Sequence, residues 1–177
     1  MSIFSKLRSL SRQEATMDDM HEFQRQVRHE SNDRGATLLV MANCDLALTQ
    51  SIYRVLKVPE DLRQRLEVDG GPLSTFSQRI LMGRALAIYG EMMQHNLDLL
   101  RHLRNAFAHS HVPIAFETPE IAEAIAHFKV QALLPPYNLG AESKPYPEEP
   151  KARFHHACET MSHNLIVWGW RKHETMP

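Results

Sequence analysis

Arg104, Asn105 and His109 lie within one six-residue stretch, Arg104-Asn105-x-x-x-His109. A guanidinium steadies an anionic oxygen, and an imidazole moves a proton near neutral pH. Together they suit binding of an anion with a proton transfer beside it. The stretch belongs to a segment, Glu91 to Ala108, whose apolar residues recur as on one helix face. On an ideal helix a spacing of five sets Arg104 and His109 about 140° apart. They converge only if the helix ends near Ala108, or if two subunits each supply part of a site. A second reading needs no catalysis, because Arg and His near a helix C-terminus also stabilise its dipole.

Arg104 carries a further constraint. With Met93 at zero, Leu97, Leu100 and Phe107 form a stripe near +40°, −20° and −40°, and Arg104 falls inside it at about +20°. A guanidinium stays charged when buried, so it requires a carboxylate and other acceptors. Asp33 and Asp45, on the preceding long helix, or a charge from another chain, are the candidate partners. Such a pair either fixes helix register or keeps a functional arginine in a groove. Asp98, His102, Asn105 and His109 form a polar stripe on the opposite side, either a solvated face or a contact surface. His95, His102 and His109 are spaced by seven, a rise of about 10.5 Å per step. Zinc–nitrogen bonds of about 2.0 Å forbid two of them from sharing an ion. His109 with His111 would need a third ligand from elsewhere, and His155, His156 and His163 offer no better spacing. Ser110 and Ser162 lack a nucleophile elbow. Asp69-Gly70-Gly71-Pro72 lacks the lysine of a phosphate loop. No cofactor and no metal are expected.

The elements that must hold these groups read as helices. Thr16 caps a first helix with Asp18 and Asp19 in its opening turn. Asp33 to Lys57 is apolar almost all round and reads as a long central helix covered on most sides. Pro59 starts a short one to about Leu66. Ser74 or Thr75 caps another to about Tyr89, ended by Gly90; there Gly83 and Ala87 would let a second helix approach closely. Glu91 to Ala108 follows. Thr118 and Pro119 start one more, to about Leu134. Pro135 to Pro150 carries five of the ten prolines and reads as an irregular connection. The last helix runs from about Ala152 to Arg171, with Phe154, Ala157, Cys158, Met161, Leu165 and Trp168 on its apolar stripe.

The chain of 177 residues is long enough for one sizeable core. Twenty Lys and Arg balance 21 Asp and Glu, for a formal net charge of −1. That balance argues against a whole-domain electrostatic grip on nucleic acid and leaves room for a local patch. The two cysteines, Cys44 and Cys158, sit in apolar patterns and read as buried, reduced thiols. No signal peptide and no membrane-spanning run is visible, so a cytoplasmic location is expected.

A resemblance adds to this. Phe76-Ser-Gln-Arg79-Ile80, then Asp98-Leu-Leu-Arg101-His-Leu-Arg104-Asn105-Ala-Phe107-Ala108-His109, then Phe116 with Pro119-Glu120-Ile121, resemble the central signature of the mannitol operon repressor family. Asn32-Asp33-Arg34-Gly35 resembles its opening signature. The resemblance runs from about residue 31 to residue 125. It implies an all-α helical bundle, here of about seven helices, that works as a homodimer in transcriptional repression. Asp33, Arg34, Arg79, Asp98, Arg101 and Arg104 are then the candidate binding residues. No basic recognition helix of the helix-turn-helix kind is visible. A protein partner is therefore expected at least as much as direct nucleic-acid contact, and no membrane partner is expected. Arg104-Asn105-x-x-x-His109 is also similar to the motif of HEPN-type helical domains, some of which are metal-independent ribonucleases. The organisation expected is a flexible basic arm over 1–15, a helical core over 16–134 and a Pro-rich connection over 135–150. A C-terminal helix over 151–177 then docks on the core or on a second subunit.

Overall fold

A computed structural model describes residues 29–68, 70–130 and 146–168, with positions 3, 22, 23 and 25–27. The expected arm lies outside the described residues apart from Ile3, as does most of the proline-rich connection. The fold is all-α. Six helices are described: α1 Asp33–Leu56, α2 Glu60–Glu67, α3 Phe76–Ala85, α4 Glu91–His109, α5 Pro119–Ala126 and α6 Pro150–Trp168. Helical positions at 22, 23, 25–27 and 29 precede them.

Helix α1 is the organising element. The Asn32 side chain accepts from the Arg34 and Gly35 N–H groups and closes its N-terminus. Lys57 ends it in the left-handed region at φ 49°. Its buried residues, among them Ala36, Val40, Cys44, Leu48 and Ile52, face α3, α4 and α6. The expected cover on most sides is met on these three. On the fourth, Leu38 and Leu46 remain 37% and 42% exposed, with Ala42 between them.

Helix α3 starts at Thr75 through a reciprocal capping box with Gln78. It ends at Ala85, four residues before the expected Tyr89. The chain reverses instead through Ala87, at φ 53°, and folds Tyr89 back over the helix it has just left. The Tyr89 hydroxyl donates to the Ile80 carbonyl at 2.6 Å. A Cβ on Gly83 would meet the Tyr89 ring at 2.7 Å. The gap that the small residues leave is thus filled by a tyrosine, not by another helix, and Gly90 opens α4 instead of closing α3.

Helix α5 also stops early, at Ala126 instead of about Leu134. The buried Asn96 of α4 accepts from the Lys129 N–H at 2.8 Å, so the backbone leaves the helix with Phe128 and Val130 buried. Helix α6 starts at Pro150, before the expected Ala152, and positions 169–171 lie outside the described residues. Phe154, Ala157, Cys158, Met161 and Leu165 are buried as the stripe predicts. Phe116 stacks between Phe107 and Phe154, with ring centroids 5.4 and 5.1 Å away. Arg54 and Ser51 of α1 donate to the Ile166 and Leu165 carbonyls at 3.2 and 2.5 Å, tying the last described turn of α6 to α1.

Candidate functional site

The candidate residues fall into three places. The first is the N-terminal end of α1. Asp33 accepts from the Phe116 backbone N–H at 3.1 Å through Oδ2 and from Lys151 Nζ at 3.0 Å through Oδ1. Lys151 also donates to the Glu30 carbonyl at 3.2 Å. The next residue, Arg34, donates through Nη2 to the Ser110 carbonyl at 2.9 Å, just past the end of α4. The opening signature therefore ties the start of α1 to the loop after α4 and to the first turn of α6. Gly35 belongs to the same knot, since a Cβ there would press on Glu30 at 3.2 Å.

The second place is the middle of α1. Asp45 pairs with Arg79 at 2.5 Å, and Arg79 Nε donates to the Leu73 carbonyl at 2.8 Å. Burial pushes the Asp45 carboxyl above its usual range, opposed by the Arg79 guanidinium and, more weakly, by Arg104. Its Oδ1 is buried without a hydrogen-bond partner among the described residues. Close by, the Tyr53 hydroxyl bonds to Glu67, and the Arg63 guanidinium lies 5.3 Å from the Tyr53 ring centroid. Burial, then that bond to Glu67, pushes the Tyr53 phenol up.

Among the described residues Arg104 forms no direct ion pair with Asp33 or Asp45. Asp33 is taken by Lys151 and Phe116, and Asp45 by Arg79, while Arg104 Nη1 donates to Asn105 Oδ1 at 3.2 Å. It is half-buried and reaches Asp45 only through its charge. The reason lies in the stripe. Asn96 and Leu103 are buried with Met93, Leu97, Leu100 and Phe107, which swings the centre of the buried face away from position 104. A long side chain on that flank carries its charge toward water.

The third place is the polar face of α4. Asp98 and Arg101 pair at 3.5 Å, and Arg101 Nη2 contacts His102 Nε2 at 2.9 Å. His102 and His109 are exposed, Asp98 and Asn105 half-buried. Burial, and then the Asp98 charge, push the Tyr89 phenol up. Helix α4 runs through His109, so Arg104 and His109 keep their separation of about 140°. No group of three or more His, Cys, Asp or Glu side chains able to hold a metal occurs among the described residues.

Lys151, Tyr53, Glu67 and Asn96 carry interactions that the sequence does not announce. Lys151 is 118 positions from Asp33, and no local spacing connects them. A buried Asn opposite a helix end has a signal only in hindsight, through the apolar residues on either side of it.

No protein-family model matches this chain, and no curated protein matches it. Among solved structures it is similar to a chain of the MtlR–HPr complex from Escherichia coli, determined by X-ray methods. The TM-score is 0.63 at 16% sequence identity, covering 82% of this chain and 97% of that one. At that identity the likeness is one of fold. It supports a distant MtlR-like architecture, MtlR being a mannitol operon regulator, and not the HEPN-type motif. No described helix is long and apolar enough to cross a membrane.

Proposed function

We propose that this chain is a regulatory protein of the mannitol operon repressor type, which acts as a cytoplasmic homodimer by binding a small protein partner of the HPr kind. The observation that carries the reading is the match over 97% of a chain whose solved structure is a complex with HPr. Charge supports it. A formal net charge of −1 gives little purchase on a phosphate backbone, which binds through released counterions. The solvent-facing polar side of α4, with Asp98, Arg101, His102 and His109, is the face offered to the partner. Its charges are at the surface, where they tune encounter and selectivity.

Isothermal titration of the purified chain with HPr, alongside light scattering of the chain alone, tests the reading. Micromolar or tighter binding by a dimer, weakened by Asp98→Ala or Arg101→Ala without loss of folding, is the expected result. No HPr binding, together with salt-dependent binding to operator DNA, overturns it in favour of direct repression. Cleavage of single-stranded RNA that survives chelator and disappears in His109→Ala overturns it in favour of a ribonuclease.

A further inference from the structure

The only two cysteines of the chain, Cys44 and Cys158, meet across the contact between α1 and α6, the broadest helix–helix contact described. Both are free and buried, at 0% and 1% exposure. Cys44 Sγ lies 3.0 Å from Ser162 Oγ and 3.6 Å from the Cys158 carbonyl. The Cys44 thiol thus sits against the backbone of the residue that carries the second thiol. A small cavity of about 20 Å³ reaches this place, lined by Phe23, Val27, Val40, His155, Cys158 and Ser162. It has room for one water-sized molecule, and hydrogen peroxide is little larger. Cys158 lines this cavity and Cys44 does not.

We propose that Cys158 and Cys44 form a reversible disulfide between α6 and α1 when a hydroperoxide enters the cavity beneath Phe23 and Val27. The Cys158 sulfur attacks the outer peroxide oxygen. The O–O bond breaks, leaving a sulfenic acid and, with the thiol proton, one molecule of water or alcohol. The Cys44 sulfur then attacks the sulfenic sulfur. The S–S bond forms, the S–O bond breaks, and the departing hydroxide leaves as water with the Cys44 proton. Two thiols lose two electrons and the peroxide gains them. Closure to the ~2.05 Å of a disulfide requires rotation of the two side chains and a slight approach of the helices. Burial, first, and the neighbouring Cys44 push the Cys158 thiol well up, so the first step is slow at neutral pH and quickens as pH rises.

Peroxide treatment of the full-length chain tests this, followed by denaturing alkylation, intact mass and a melting curve. Expected are a chain about 2 Da lighter that takes no alkyl group, a higher unfolding midpoint, and reversal of both by a dithiol reductant. Val27→Ala, which widens the cavity, shortens the half-time several-fold. Cys44→Ser stops at a sulfenic acid on Cys158 that a dione reagent captures. Two alkyl groups per chain after prolonged oxidation, a disulfide between two chains, or a sulfinic acid on Cys158 with Cys44 still free would each overturn the proposal.

Discussion

The two regions that carry the signature-like residues behave in opposite ways. At the start of α1, Asp33 and Arg34 spend their polar atoms on other parts of the chain, at Phe116, Lys151 and Ser110. Along the outer face of α4, among the described residues, Asp98, Arg101 and His102 bond only within their own helix and His109 makes no polar contact. A run of polar residues in one motif therefore mixes two roles. The first holds three distant segments together, and the second leaves donors and acceptors facing solvent for something else to meet.

Substitutions that separate stability from binding would sharpen or break that contrast. Phe116→Ala removes the ring between Phe107 and Phe154 and should cost about 3–5 kcal/mol in urea denaturation. Asp33→Ala strands the Phe116 N–H and leaves the Lys151 ammonium only the Glu30 carbonyl, and should cost about 1–3 kcal/mol by the same measurement.

Asp45→Asn tests a pH dependence. The folded carboxyl has a raised pKa, so the folded state holds its proton to higher pH than the unfolded chain does. Its contribution is full below the unfolded value and is lost as pH rises through the folded one. Unfolding of the two proteins compared from pH 3.5 upward should therefore show the Asn variant gaining on the parent, then levelling off. A difference that stays flat, or that moves the other way, would mean that Arg79 outweighs burial at this site.

The smallest effect is expected on the outer face. His102→Ala with His109→Ala should leave stability within about 0.5 kcal/mol of the parent. If that pair costs as much as Asp33→Ala, the two regions do not differ as described.

Much of the fold is legible in the residues. The start of α1 at Asp33, the Thr75 cap and the Pro119 start follow from local chemistry that each segment carries by itself. The stripe of α6 is equally plain. Helix ends were harder where distant groups decide them. Tyr89 turns back because Gly83 leaves a hollow for its ring, and α5 stops where Asn96 takes the Lys129 N–H. Both contests are won by tertiary contacts over local propensity. The acid opposite Arg104 is a case of the same kind. Periodicity marks position 104 as near the seam, yet it carries no information about whether Arg79 or Lys151 reaches the two acids first.

The pairing of α1 with α6 joins segments made far apart in time. Ser51 bonds to a carbonyl 114 positions further on. At ribosomal speeds of about 5–20 residues per second, roughly 6–23 s separate the synthesis of these two positions. Through that interval the nascent chain holds an apolar rod without its mate. A chaperone with affinity for bare helices would find its best target there, and a premature stop ahead of Pro150 would leave that target standing for good.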